Sequence, residues 1–124
     1  MKKITKIIWI IALLAMVPSA NSQEKNTQVE TKPLTKMLLF KWKENVTKIQ
    51  QSEMIKLFEE LVMEVEGFDH LEVEELRYSS RFETSFVLKF DSEEAEERYR
   101  FHPKHQLVAD LGTKLVRDFT EFKY

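Results

Sequence analysis

Apolar and polar residues alternate along the segment from Thr35 to Lys43. One face of this segment is wholly apolar and the other is mostly apolar; the first carries Leu38, Phe40 and Trp42, and the second carries Met37, Leu39 and Lys41. Such alternation is typical of a β-strand, and two apolar faces indicate cover on both sides over part of its length. The pattern therefore predicts a strand at the start of the folded region.

A helical pattern follows this strand. Thr47 and Gln50 have the Thr-x-x-Gln spacing of a capping box, which marks the start of a helix. The residues spaced to form one buried helix face are Met54, Leu57, Phe58, Leu61, Val62 and Val65. Gly67 can adopt the left-handed conformation that ends a helix, so we predict that the helix stops there.

Two further strands are predicted next. The segment from Phe68 to Tyr78 is rich in glutamate and predicts a weak, exposed strand, and Ser79-Ser80 can turn the chain after it. In the following segment, one face is lined by Phe82, Thr84, Phe86, Leu88 and Phe90. The alternation predicts a well-buried strand.

Two consecutive helices and a last strand complete the pattern. Asp91 or Ser92 can cap a short helix with an acidic first turn, and Pro103 suits the first position of the next helix. We expect the charged run 93–100 to form a solvated face. The expected buried stripe of the second helix is Leu107, Val108, Leu111, Leu115 and Val116, and residues 119–124 are expected to form the last strand.

The predicted order is β-α-β-β-α-α-β, which is an α+β arrangement. It matches a ferredoxin-like fold whose second helix is broken at His102-Pro103, with a four-stranded antiparallel sheet and helices on one face. The other face of the sheet also carries large apolar residues and therefore needs cover.

The N-terminal part of the chain differs from the rest. Residues 1–22 combine three lysines, an apolar run at 7–17, Pro18 and a small-residue end, which is the layout of a secretory signal peptide. An uncleaved anchor is the alternative, but the run is shorter than the ~20 apolar residues of a membrane span. We expect residues 23–33 to be a flexible linker, residues 34–124 to be the domain, and the protein to be exported, periplasmic or secreted. Without cysteine it can carry neither a disulfide nor a cysteine-linked lipid.

Charge narrows the range of partners. Residues 1–22 hold three of the 19 lysines and arginines and none of the 21 acidic residues, so cleavage leaves a net charge of −5. Nucleic-acid binding relies on basic patches, so we expect no nucleic-acid partner. After cleavage of the signal peptide we expect no membrane association either.

Few residues can carry chemistry. With two glycines the chain has no phosphate-binding glycine loop. It has no cysteine, and no two of its three histidines have the i, i+4 spacing of a helical metal motif, so we expect no cofactor and no metal. His105, in the first turn of a helix, can act as a base or an acid near neutral pH. The alternative is a structural hydrogen bond from His105 to the preceding turn or to a carboxylate. His102 is expected to form the turn before Pro103, and His70 is expected to be solvated.

One stretch of the chain carries a resemblance to a known family. Residues 81–105, RFETSFVLKFDSEEAEERYRFHPKH, together with the strand 34–43 and the chain end 122–124, resemble the Dabb family of stress-responsive dimeric α/β-barrel domains. This resemblance implies a homodimer whose open sheet faces meet as a barrel. It also implies that His105 and Tyr99 correspond to the base and a pocket tyrosine of olivetolic acid cyclase, a distantly similar plant member. Two other histidines of that enzyme correspond here to Lys36 and the run 82–84.

Three functions remain open at this point. The favoured one is a homodimer that binds a small apolar or aromatic molecule in a pocket lined by Phe40, Trp42, Phe86 and Leu88. A cofactor-free enzyme, similar to a polyketide cyclase or a monooxygenase, would use His105 and Tyr99. A purely structural or interaction dimer would instead fill the same space with aromatic side chains, since buried aromatics dominate both kinds of site.

Overall fold

The computed structural model describes residues 32–124. The predicted signal peptide and residues 23–31 of the predicted linker lie outside the described residues. The elements, in chain order, are β1 (Leu34–Trp42), α1 (Lys48–Glu64), β2 (Phe68–Glu75), β3 (Thr84–Phe90), α2 (Glu93–Phe101), α3 (Pro103–Leu115) and β4 (Val116–Lys123). The predicted order β-α-β-β-α-α-β is confirmed.

The four strands form one antiparallel sheet in the order β2-β3-β1-β4. This is the ferredoxin-like arrangement, as predicted. In the register of the sheet, Leu38 at the centre of β1 lies between Phe86 of β3 and Glu121 of β4. A register shift between Lys41 and Trp42 marks an irregularity in the β1–β4 pair.

The core lies between the sheet and the helices. Every second residue of β1, from Leu34 to Trp42, is buried. These side chains join alternate residues of β3 and the buried residues of the three helices in one apolar cluster; its fully buried members include Met54, Phe58, Leu61, Phe86 and Leu88. Met37 and Leu39 alternate with the buried positions of β1 and are only half-buried. They lie on the opposite, open face of the sheet.

The ends of the helices are set by local chemistry. The capping box predicted at Thr47 is present, with the Thr47 side chain accepting from the Gln50 N–H and the Gln50 side chain accepting from the Thr47 N–H. Ser92 rather than Asp91 caps α2, because its hydroxyl accepts from the Ala95 N–H. Gly67 has the expected positive φ of 90°, but it lies two residues after the helix C-cap. It therefore forms the turn into β2.

Some predicted boundaries and buried positions were wrong. β2 ends at Glu75 rather than at Tyr78, which is almost fully exposed. β4 begins at Val116, three residues earlier than predicted, because the chain passes directly from α3 into the strand and pairs with Trp42. Leu107 is half-exposed, whereas Val108 and Leu115 of the same predicted stripe are buried.

Candidate functional site

A cavity of about 510 Å³ lies between the sheet and α3. Its apolar lining comes from β1, α1, α3 and β4 and includes Leu38, Phe40, Met54, Phe58, Val108 and Phe119. Seven polar or charged side chains also line it: Lys36, Tyr99, His105, Thr113, Arg117, Asp118 and Glu121. Lys36 Nζ lies 3.1 Å from Glu121 and 5.4 Å from the centroid of the Tyr99 ring, which contacts His105. These four residues therefore share one end of the cavity.

The bend between α2 and α3 brings Tyr99 and His105 together. His102 ends α2 and also caps α3, since its Nδ1 atom accepts from the Lys104 N–H at 3.0 Å. Pro103 occupies the first position of α3, and the His105 N–H donates to the His102 carbonyl at 2.9 Å. The rings of Tyr99 and His105 then meet edge to face, with centroids 4.8 Å apart. His102 therefore has the turn-forming role predicted for it.

Neither ring of this pair has a hydrogen-bond partner among residues 32–124. Tyr99 is 2% exposed, yet within residues 32–124 its hydroxyl neither donates nor accepts a hydrogen bond. The imidazole of His105 likewise makes no hydrogen bond to any described residue. The structural hydrogen bond considered as an alternative role for His105 is thus not found in this part of the chain. Buried polar groups normally have partners, so both groups are available to a molecule in the cavity.

The surroundings change how both groups ionise. Burial lowers the pKa of His105, the positive charges of Lys36 and Arg100 lower it further, and Glu96 and Glu121 oppose this only in part. Burial and the same two carboxylates raise the pKa of Tyr99. The site therefore favours a neutral imidazole, which can accept a proton, beside a protonated phenol, which can donate a hydrogen bond.

A buried ion pair lies next to these rings. Lys36 is 5% exposed, and its ammonium donates to Glu96 at 2.6 Å and lies 3.1 Å from Glu121. Arg100 donates to both oxygens of Glu96, at 3.0 and 3.1 Å. Burial alone would raise the pKa of Glu96, but Lys36 and Arg100 outweigh it and hold that pKa below its ordinary value. Glu96 is therefore a buried carboxylate, and the prediction of a solvated face for the run 93–100 is wrong at this position.

The ion pair was missed by sequence reasoning, although a signal was present. Lys36 is two residues before Leu38 and so lies on the same face as Leu38, Phe40 and Trp42. A lysine on the apolar face of a strand is rarely buried unless it has a partner, and it indicates a buried acid nearby. Glu96 has no equally clear signal, because it is one of four acids at the start of α2.

Of the four residues predicted to line the pocket, only Phe40 lines the cavity. Trp42 packs edge to face against Phe40, at a centroid distance of 5.6 Å, and donates from Nε1 to Thr84. Phe86 is packed between Phe40 and Phe58, and Leu88 is fully buried. These three side chains therefore fill the core beside the cavity.

The other candidate chemistry gives little. His70 is exposed and lies 3.2 Å from Glu72, in agreement with the predicted solvated position. Among residues 32–124, no group of three or more histidine or acidic side chains is arranged to hold a metal ion. In the same part of the chain, no helix has the length and apolar character needed to cross a bilayer.

Comparison with known proteins identifies the family. The sequence profile of the stress responsive A/B barrel domain, Dabb, matches residues 34–124. The chain belongs to the Dabb family. Among curated proteins, no sequence matches this one.

Several solved structures resemble this Dabb domain. A dimeric ferredoxin-like protein of unknown function from Thermobifida fusca is 17% identical, with a TM-score of 0.66, over 82% of this chain and 98% of that one. A Dabb family protein from Mesorhizobium loti is 21% identical, with a TM-score of 0.62, over 74% and 94% of the two chains. The hydroxynitrile lyase of Passiflora edulis is 10% identical, with a TM-score of 0.68, over 77% and 94%. At these identities the likeness shows the fold.

Proposed function

We propose that this Dabb protein is an exported homodimer that binds a small, mostly apolar molecule in the cavity between the sheet and α3. The observation that carries the proposal is the pair Tyr99 and His105 at one end of a largely apolar cavity, because neither side chain has a hydrogen-bond partner among residues 32–124. Small-molecule sites are commonly apolar clefts of ~300–1,000 Å³ with a few convergent polar groups. The cavity volume, about 510 Å³, is within that range.

Export is supported by the N-terminal sequence. Three lysines, the apolar run 7–17 and the small residues before Gln23 have the order of a cleavable signal peptide. An exported protein folds in an oxidising environment. This domain has no cysteine, so it has no thiol that could be oxidised there.

The proposed dimer forms through the open face of the sheet. Met37 and Leu39 of β1 and Phe122 of β4 give this face an apolar surface, and Phe122 is 50% exposed in the single chain. A second copy would remove these side chains from water, and burial of apolar area is the main driving force of association. The Thermobifida fusca protein and a Bacteroides fragilis protein with the same fold are described as dimeric, which supports the proposal.

Binding can be tested with a panel of uncharged aromatic molecules, followed by NMR of the isotope-labelled protein. We expect chemical-shift changes at Leu38, Val108 and His105. The matched variant is Ala109→Trp, because Ala109 lines the cavity from an exposed position and a tryptophan there would obstruct it without replacing a core residue. Shift changes that persist in this variant, or that occur only on the open sheet face, would contradict the proposed cavity site.

A cofactor-free enzyme is the second candidate. The specific observation in its favour is the lowered pKa of His105 beside the protonated Tyr99, because a neutral base next to a hydrogen-bond donor can take a proton from carbon adjacent to a carbonyl. Exchange of the methyl protons of acetophenone for deuterium measures this step directly. Catalysed exchange that is lost in His105→Gln would support an enzyme, and exchange at the uncatalysed rate would leave binding as the better account.

A further inference from the structure

We infer that Lys36, held by Glu96 and Glu121, makes the cavity select uncharged molecules that carry a carbonyl or hydroxyl oxygen over the corresponding carboxylates. This inference rests on the proposed ligand-binding function and names the class of ligand. Lys36 is the residue that determines specificity. Tyr99 and His105 complete the polar end of the cavity.

The ammonium group of Lys36 has three N–H donors and no acceptor. Within residues 32–124, its only hydrogen bond is to Glu96, and Glu121 is an ion-pair partner at 3.1 Å. At least one N–H therefore remains for a molecule in the cavity, which Lys36 lines. Because Lys36 Nζ lies 5.4 Å from the centroid of the Tyr99 ring, the phenol and the ammonium open onto the same end.

The ammonium group of Lys36 already contacts two carboxylates, Glu96 and Glu121. Arg100 and Lys123 also contact Glu96, but they are not part of the cavity lining. Glu121 itself lines the cavity, so an entering carboxylate would meet a like charge there. Asp118 and Arg117 also line the cavity; Asp118 is paired with Arg81, and Arg117 is exposed to solvent. An uncharged oxygen accepts from Lys36 and Tyr99 without this repulsion.

The neutral imidazole of His105 offers one hydrogen-bond donor and one acceptor, so it can bind a hydroxyl or an amide as readily as a carbonyl. It offers no full positive charge to an anion at neutral pH. The polar end therefore supplies hydrogen bonds from an ammonium group that already contacts two carboxylates, which is the chemistry that recognises neutral carbonyl and hydroxyl compounds.

Benzamide and benzoate provide a matched pair of probes, because they share one shape and differ in charge. We expect NMR titration at pH 7.5 to give wild-type binding at least tenfold tighter for benzamide than for benzoate. Glu121→Gln should reduce this preference to less than threefold by strengthening benzoate binding. Lys36→Met should weaken benzamide binding at least tenfold, and circular dichroism would check that this variant is folded. Glu59→Gln, on an exposed part of α1, is the control and should keep the wild-type preference.

The outcomes separate the two claims. Benzoate binding as tight as benzamide in the wild type would overturn the inference and leave the ligand-binding function standing. An unchanged preference for benzamide in Glu121→Gln would also overturn the inference. The Glu121 side chain is partly exposed, so this variant should fold whether or not Lys36→Met does. Failure of both probes, and of uncharged aromatic molecules generally, to perturb the cavity would instead overturn the ligand-binding function, and the inference with it.

Discussion

The imidazole of His105 is governed by burial and by neighbouring charge, since no described residue hydrogen-bonds to it. We expect its titration midpoint to lie below the ordinary value of 6.5. A lowered pKa in the folded state means that His105 favours folding above pH 6.5, and that this contribution is lost as the pH falls through the folded-state pKa. NMR titration of the ring protons measures the midpoint, and Lys36→Met should raise it. A midpoint at or above 6.5 would show that the ring is solvated or paired with an acid.

The Lys36–Glu96 pair gives a second prediction for single residues. Glu96→Leu leaves the ammonium of Lys36 buried with only Glu121 beside it, and loss of one member of a buried pair typically costs ~3–5 kcal/mol. We expect the lower end of that range, because Glu121 remains. The double variant Lys36→Met with Glu96→Leu should recover most of the loss, since it leaves no buried charge in the pair. Urea unfolding measures both, and additive losses would contradict the coupling.

Both rings at the polar end of the cavity were candidates from the sequence, but the ion pair was not. Tyr99 was singled out by the family resemblance, and His105 by that resemblance and by its place in the first turn of a helix. Glu96 did not stand out, because the run 93–100 contains charges on every side of a helix and only tertiary packing decides which of them is buried. Lys36 could have been identified from strand alternation alone.

At the scale of the elements, the turn from α1 into β2 depends on Gly67. Its φ is +90°, and a Cβ atom there would lie 2.6 Å from the Ala95 Cβ and 2.7 Å from the Asp91 carboxylate. We therefore expect Gly67→Ala to destabilise the domain by at least ~1–3 kcal/mol in thermal or urea unfolding.

Gly112 provides the matched control for this substitution. It lies inside α3, and an added Cβ would meet only Met54, at an ordinary distance of 3.7 Å. Gly112→Ala should change stability by no more than ~1 kcal/mol, in the stabilising direction, because alanine favours helix. Equal losses for the two variants would show that the close contacts of Gly67 do not decide its role.

The elements themselves were predicted well wherever the signal is local. The capping box at Thr47 and Pro103 at the start of α3 are both present, since each depends on residues within one turn. The start of β4 was predicted too late. Val116 fits the buried stripe of a helix equally well, and only its pairing with Trp42, far away in the sequence, places it in the strand.

At the scale of the whole molecule, the open sheet face gives the prediction for assembly. Leu39 lies on that face in β1, opposite Ser85 and Thr120, and is half-buried in the single chain. We expect Leu39→Glu to convert the proposed dimer to a folded monomer, because a buried unpaired carboxylate is costly in an apolar interface. Light scattering after size-exclusion chromatography measures the mass. Ile49→Glu, at an exposed position on α1, is the control and should remain dimeric.

The fold followed from the order of the elements, but the position of the cavity did not. Trp42, Phe86 and Leu88 were predicted to line the pocket because they lie on apolar strand faces, and they pack against other side chains instead. A cavity is the space left after all side chains have packed. The position of the cavity therefore depends on how α3 and β4 pack together. The alternation of apolar and polar residues along a single strand does not predict that packing.

Native mass spectrometry can show whether the cavity holds a small molecule. The protein would be purified from its own host as the cell makes it, in parallel with Ala109→Trp. We predict a wild-type dimer that carries additional mass equal to one small uncharged molecule per subunit, and a variant dimer without it. An empty wild-type dimer, or the same bound mass in both proteins, would contradict the binding of a small molecule in the cavity.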